Sequence, residues 1–141
     1  MISVKKQLFE IPEPSTESVT DATLQIVGRI GILRYDYYRE GTAFRSAIRF
    51  SGLMAARTLS ERCSAAWHIE GVYDTLSEVT NSEWIQEVRE GMPERYRGDL
   101  SLRHFMIYLD SAGCFEILAE SYDVTPEEVG SWEHQTQCMQ S

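Results

Sequence analysis

The chain has 141 residues, of which 43% are hydrophobic, and its formal net charge at pH 7 is −9. This length fits one domain, and the hydrophobic fraction is high enough for a core, which excludes a chain disordered over most of its length. A negative chain is repelled by nucleic acid and by anionic membranes, so we expect neither as a partner. Three cysteines are too few, and odd in number, for a disulfide framework, which favours free thiols in a reducing compartment.

The first 22 residues combine proline, serine, threonine and acids with few apolar side chains, which predicts an extended or flexible N-terminal arm over residues 1–22. The two lysines near its start are not followed by an apolar stretch, so we expect no signal peptide. No apolar run approaches the roughly 20 residues that a membrane-spanning helix needs. We therefore expect a cytoplasmic protein.

The segment that begins at Thr23 predicts β-structure, because it is rich in Ile, Leu, Val and Tyr and its polarity alternates. Gly28 and Gly31 predict a bulge or bend within it. A short turn after Arg39 joins two alternating runs, and a hairpin there would place Asp36 opposite an arginine of the second run.

Residues 51–80 fit both a helical and a strand period, and we favour strand only up to about Arg57. After them, Asn81 or Ser82 can cap a short helix in the sequence SEWIQEVRE. The following GMPERYRGDLS is typical of an exposed loop. In VTPEEV, Thr125 suits an N-cap and Glu128 completes a capping box, which predicts another short helix.

The segment RHFMIYLDSAGCFEILAES, residues 103–121, predicts a β-hairpin whose turn is DSAG. In the expected register one face pairs only apolar residues, namely Leu109 with Phe115, Ile107 with Ile117, and Phe105 with Ala119. The other face carries the polar side chains, in the pairs Asp110 with Cys114, Tyr108 with Glu116, Met106 with Leu118, and His104 with Glu120.

This polar face supports several kinds of site. His104, Glu116 and Glu120 could ligate a metal, but no CxxC or HExxH motif accompanies them, and we predict neither metal nor cofactor. Cys114 could be a nucleophile with His104 or His68 as its base. In the expected register His104 and Cys114 lie at opposite ends of the hairpin, several pair steps of about 3.3 Å each apart, which is far beyond hydrogen-bond reach.

We predict one α+β domain over residues 23–134, with an antiparallel sheet of about four to six strands, two or three short helices, and a tail at 135–141. The composition favours a non-catalytic, acidic protein-binding module (an inhibitor, an immunity-type protein or an adaptor) that meets a partner with a basic surface. Its predicted binding strip is His104, Met106, Tyr108, Asp110, Glu116, Leu118 and Glu120, although an ordinary solvated face would look the same. The alternative is a small enzyme or metal-binding domain that uses His104, Glu116 and Glu120.

Overall fold

The computed structural model of the chain describes residues 3–98 and 101–133. Within them lie ten strands and two short helices. The strands are β1 (Val4–Glu10), β2 (Thr23–Val27), β3 (Ile30–Arg39), β4 (Thr42–Ser51), β5 (Ala55–Leu59), β6 (Thr75–Thr80), β7 (Arg103–Leu109), β8 (Gly113–Ala119), β9 (Ser121–Val124) and β10 (Glu128–Val129). The helices are α1 (Glu83–Glu90) and α2 (Glu94–Arg97), and single 3-10 turns lie at Ser15–Glu17, Glu61–Cys63 and Ala66–His68.

The strands form two five-stranded sheets, which we call sheet 1 and sheet 2. Sheet 1 has the order β1-β6-β7-β8-β5, and sheet 2 has the order β10-β4-β3-β2, with β9 also paired to β4. Every pairing between these strands is antiparallel. The prediction of a small, mostly antiparallel fold is confirmed, but the chain is richer in sheet than the expected α+β domain, because residues 121–129 add strands rather than a helix. No helix among the described residues is long and apolar enough to cross a bilayer.

Side chains from both sheets form the main core. Leu33, Tyr35 and Tyr37 alternate along β3 and all three are buried, as a strand with one apolar face requires. The ring of Phe50 on β4 lies 5.5 Å from that of Phe105 on β7, which joins the two sheets. Burial of this apolar surface is the main source of stability for a chain of this length.

A second, smaller core lies on the opposite face of sheet 1. It contains Val72, Val79, Met106, Tyr108 and Cys114, and the partly buried side chains of Leu59 and Ile69 pack against it. The Tyr73 ring stacks on the ring of Tyr108 at 5.8 Å. The hairpin face predicted as a binding strip, or as an ordinary solvated face, is therefore largely covered by other parts of the chain.

The N-terminal segment is fastened to the rest of the fold. Strand β1 forms one edge of sheet 1 by pairing with β6. Farther on, the buried Ser15 accepts a hydrogen bond from the backbone N–H of Asp110 at 2.8 Å and donates its own N–H to Asp74 at 3.1 Å. Residues 134–141, which include the predicted tail, lie outside the described residues.

The first predicted hairpin is confirmed, and Asp36 lies opposite an arginine as expected. This arginine is Arg45, and the turn at Glu40 and Gly41 has φ angles of 51° and 80°. The two charged groups do not pair, however. The buried Asp36 carboxylate accepts backbone N–H groups of residues 19, 20 and 132, whereas Arg45 binds Glu128 at 3.1 Å. Backbone donors outcompete the cross-strand arginine because a buried carboxylate needs several hydrogen bonds at short range.

The undecided segment 51–80 contains strands at both ends and 3-10 turns between them. The change of sheet occurs at Gly52, which has a φ of 68° and ends β4 before β5 joins sheet 1. Residues other than glycine rarely adopt this φ angle. A Cβ atom at Gly52 would also clash with the Glu120 carboxylate. The helical period along this segment therefore does not correspond to an α-helix.

Two other local predictions are wrong. Thr125 does not cap a helix, because its side-chain oxygen accepts the N–H of Ala47 at 2.9 Å and its own N–H donates to the Ala47 carbonyl. These bonds hold the segment extended along β4. The GMPERYRGDLS stretch is not entirely a loop, since α2 occupies its middle.

The β7–β8 hairpin differs from its predicted register by two residues. Leu109 pairs with Gly113 rather than with Phe115, and the loop consists of residues 110–112. Gly113 has a φ of 101°, and a Cβ atom there would lie 2.2 Å from the Leu59 carbonyl, so the packing of β5 requires glycine at this position. A shift of two leaves every side chain on its predicted face but changes its partner.

Candidate functional site

A cavity of about 300 Å³ opens on the covered face of sheet 1, between the start of α1 and the segment that carries Trp67. Its volume is at the lower end of the range for small-molecule sites. Its lining includes the polar and aromatic residues Ser3, Arg57, Trp67, Ser82, Glu83, Trp84, His104 and Glu116.

The observed register brings His104 and Glu116 together at the base of this cavity. His104 pairs with Leu118 and Glu116 pairs with Met106, so the two residues are diagonal neighbours on one face. Their side chains meet with Nε2 and Oε1 2.8 Å apart, and both are buried. Glu120, the predicted partner of His104, is exposed and lies 3.9 Å from Arg29 instead.

Ser82 joins this pair from the N-terminus of α1. Its Oγ accepts the N–H of Ile85 at 3.2 Å, as the predicted N-cap should, and lies 2.7 Å from Nδ1 of His104. A carboxylate can only accept, so the N–H at Nε2 donates to Glu116, and in the neutral ring Nδ1 then accepts the Ser82 hydroxyl proton.

Arg57 completes the network from β5, directly across from Glu116 in the sheet. Its guanidinium forks onto the carboxylate, with Nε and Nη2 at 2.9 and 3.1 Å from the two oxygens. Burial by itself would raise the pKa of Glu116, but the hydrogen bonds from His104 and Arg57, with the charges of Arg57 and of protonated His104, lower it to about 2. Glu116 is thus an anion at neutral pH, and Arg57 balances its charge.

Two tryptophans flank the mouth of the cavity. Trp67 is 43% exposed, and Nζ of Lys5 lies 4.0 Å from its ring centre. Trp84 on α1 presents its ring edge-on to the His104 ring at 5.2 Å, and the Arg57 guanidinium lies 4.0 Å from its centre. Packing of Trp84 on both His104 and Arg57 holds α1 in place over the sheet.

The cavity rim continues into an acidic face of α1. Glu83 lines the cavity, and Glu87 and Glu90 follow it at helical spacing. All three side chains are exposed, whereas Trp84 and Val88 on the other side of the helix are partly buried. The exposed carboxylates therefore form one continuous strip beside the cavity, which we call the α1 acidic face.

The predicted binding strip on the hairpin is divided by the structure. Five of its residues are buried, which are His104, Met106, Tyr108, Glu116 and Leu118. Asp110 lies in the turn and Glu120 beyond the end of β8, so neither joins the network. The five buried residues do not form an open surface strip, and of the seven only His104 and Glu116 line the cavity.

The thiol alternative has no support from the geometry. Burial raises the pKa of Cys114 to about 12, so its thiol is protonated at neutral pH. His68, one candidate base, accepts the N–H of Ala65 at Nδ1 instead. Among the described residues, no cluster of three or more His, Cys, Asp or Glu side chains is arranged to hold a metal ion.

Sequence reasoning missed Arg57 and the use of Ser82 beyond capping. The N-cap signal at Ser82 was readable, but nothing in the sequence indicated that α1 would begin above His104. Arg57 lies opposite Glu116 only because β5 pairs with β8, and this pairing lay at the end of a segment with ambiguous periodicity.

Comparison of the chain with protein-family models, with curated proteins and with solved structures found no match in any of the three. The functional interpretation therefore depends on the chemistry of the cavity and of the α1 acidic face.

Proposed function

We propose that this chain is a protein-binding module that recognises a basic surface of its partner through the α1 acidic face and the mouth of the adjoining cavity. The observation that carries the proposal is the position of Glu83, which belongs to both features. The acidic surface predicted from composition is thereby assigned to α1 rather than to the hairpin.

Charge supports this proposal first. A net charge of −9 attracts a basic partner at long range and raises the rate of encounter. Three exposed carboxylates along two turns of one helix then orient the basic surface of the partner toward α1. Exposed rim charges of this kind affect association rate and salt dependence more than they affect final affinity.

The tryptophans support it second. Trp residues at the centre of an interface often contribute most of the binding energy, and Trp67 is exposed beside the acidic face. Beneath it, the chain of hydrogen bonds from Ser82 through His104 to Glu116 holds α1 in a fixed position on the sheet. A surface held in this way loses little conformational entropy when a partner binds.

A quantitative pull-down from the lysate of its native cells tests the proposal. One variant neutralises the α1 acidic face with Glu83→Gln, Glu87→Gln and Glu90→Gln. A matched control makes the same change in net charge on other exposed acids, with Glu10→Gln, Glu17→Gln and Asp21→Asn.

We expect a basic protein that the wild type and the control capture equally and that the α1 variant captures about tenfold less, since three rim charges at roughly 0.5 kcal/mol each sum to about 1.5 kcal/mol. Its capture by the wild type should also weaken as salt increases. Equal capture by all three proteins, or equal loss in both variants, would contradict the assignment to α1.

A further inference from the structure

We propose that Ser82 is the nucleophile of an acyl-transfer site in which His104 is the base and Glu116 orients the base, and that this site hydrolyses small uncharged carboxylic esters. This activity does not depend on the proposed partner binding. It uses the inner end of the cavity, whereas partner recognition uses its rim and the outer side of α1.

The first support is the order and spacing of the three side chains. Ser82 Oγ lies 2.7 Å from Nδ1 of His104, and Nε2 of the same ring lies 2.8 Å from Glu116. A nucleophile, a base within hydrogen-bond reach and an acidic group that orients the base make up the arrangement by which serine hydrolases activate a hydroxyl. Here Nδ1 faces the serine and Nε2 faces the acid.

The second support is the direction of the hydrogen bonds. Glu116 accepts the Nε2 proton on the far side of the His104 ring, which leaves Nδ1 of the neutral ring as the acceptor for the Ser82 hydroxyl proton. The Ile85 N–H occupies one lone pair of Oγ and does not compete for that proton. The serine proton therefore has a base to receive it before any substrate binds.

The third support is access. Ser82 and His104 both line the cavity, so a carbonyl carbon inside it can approach Oγ. Glu83 and Trp84 also line the cavity, and their backbone N–H groups belong to the first turn of α1, where a helix offers donors that have no intrahelical acceptor. Such donors can stabilise the negative charge that develops on the carbonyl oxygen.

The reaction balances with water as the only co-reactant. Ser82 Oγ bonds to the carbonyl carbon, its proton passes to Nδ1 of His104, and the carbonyl π electrons move to oxygen. The carbon–oxygen bond to the alcohol then breaks, and the departing alcohol takes the proton from Nδ1. Water repeats the attack on the acyl-serine, which releases the carboxylic acid and restores the Ser82 hydroxyl.

The cavity indicates the class of ester. Glu116 and Arg57 cancel each other's charge at its base, so no unpaired charge there favours an ionic substrate. Its walls include the side chains of Trp67, Trp84 and Val79, which suit an apolar acyl or alkyl group. A volume of about 300 Å³ favours a short chain.

A fluorophosphonate probe tests this proposal on the full chain. Serine Oγ attacks the phosphorus, the phosphorus–fluorine bond breaks, and the proton passes to the base, so labelling requires an activated serine. After incubation, peptide mapping by mass spectrometry locates the adduct. The variants are Ser82→Ala and His104→Gln, and Ser60→Ala is the control because Ser60 is an exposed serine whose side chain caps nothing.

We expect an adduct on Ser82 of the wild type and of Ser60→Ala, no adduct at position 82 in Ser82→Ala, and labelling lowered about 100-fold in His104→Gln. Unlabelled Ser82 in wild-type protein that is folded by circular dichroism would overturn the proposal, whatever the variants do. Labelling that persists unchanged in His104→Gln would overturn the role of His104. Neither result bears on capture of a partner by the α1 acidic face.

Discussion

Glu116 connects the strands that form the candidate site. It accepts hydrogen bonds from His104 on the neighbouring strand β7 and from Arg57 on β5, the neighbour on its other side. A carboxylate at this depth would be costly if either donor were lost, since breaking a buried ion pair leaves an uncompensated charge. The sequence predicted a His–Glu pair on this face but assigned it to Glu120, because the register differed by two residues.

Acid should weaken the fold through Glu116. The pKa of Glu116 is about 2 in the folded chain, below the roughly 4.3 of an unfolded glutamate, so its ionised form stabilises the fold above pH 4.3. That contribution is lost as the pH falls from about 5 to about 2. We expect the wild type to lose about 1–3 kcal/mol of unfolding free energy over this window relative to Glu116→Gln, a range lowered for the solvent around the half-exposed Arg57. Urea unfolding at stepped pH measures it, and parallel pH curves for the two proteins would contradict this.

The cysteines should differ in reactivity. Burial holds the pKa of Cys114 at about 12, whereas Cys63 is exposed on a 3-10 turn. Because the thiolate is the reacting form, native protein at pH 7.5 should be alkylated by iodoacetamide at Cys63 at least tenfold faster than at Cys114. Mass spectrometry of timed samples gives both rates. Equal rates in folded protein would show that Cys114 is not enclosed.

At the scale of elements, helix α1 depends on one side chain at its start. Ser82 caps the helix and also binds His104 on β7, so the same hydroxyl fixes the helix end and its position on the sheet. The amphipathic pattern of α1 was readable from the sequence, because Trp84 and Val88 lie on one side and the glutamates on the other. The place where α1 docks was not readable, since it depends on tertiary contacts across the cavity.

Removal of the cap should be measurable. We expect Ser82→Ala to lower the free energy of unfolding by about 1–2 kcal/mol, because the Ile85 N–H loses its acceptor and His104 loses a partner. Ser60→Ala, at an exposed position with no side-chain cap, should change it by less than about 0.5 kcal/mol. Chemical denaturation compares the two variants. Equal losses of unfolding free energy would contradict the hydrogen bonds of Ser82 with Ile85 and His104.

Strand β9 and the residues after it show why a strong local signal can fail. The capping-box pattern at Thr125 and Glu128 fits a helix, but each of these residues has a partner on β4: Thr125 binds Ala47 and Glu128 binds Arg45. Tertiary hydrogen bonds along an existing strand outweigh a local preference of about 1 kcal/mol.

Substitutions can test whether Thr125 binds β4 or caps a helix. Thr125→Val should cost about 1–2 kcal/mol of unfolding free energy, because the Ala47 N–H loses its acceptor. Glu128→Ala should cost less than about 1 kcal/mol, since it removes only an exposed ion pair. A capped helix would instead make the two losses similar, which thermal or urea unfolding would reveal.

At the scale of the whole molecule, patterning predicted the strands better than their arrangement. The alternation in β3, β4, β7 and β8 was sufficient to assign each side chain to a face, including the apolar face of the β7–β8 hairpin. Contacts between residues far apart in sequence decide which sheet each strand joins. They also cover the polar face of the hairpin. Gly52 and Gly113 set these contacts through backbone angles and close approaches that composition does not encode.

The net negative charge of the whole molecule was also evident from the sequence. The fold determines which charged side chains pair with each other and which remain in solvent. Two of the four arginines on β3 and β4 bind acids from elsewhere in the chain: Arg39 binds Glu13 and Glu127, and Arg45 binds Glu128. The glutamates on the exposed side of α1 remain in solvent beside the cavity, so the excess negative charge has a defined location there.

Enclosure of His104 beneath α1 underlies both proposals, and nitrogen-15 NMR of the histidine rings measures it directly. Among the neutral rings we predict one with a proton on Nε2 and none on Nδ1, whose Nε2 proton exchanges slowly enough with water to be observed, and whose signals vanish in His104→Gln. Ring protons that exchange rapidly in every histidine, with both nitrogens averaged between tautomers, would contradict the network of Ser82, His104 and Glu116.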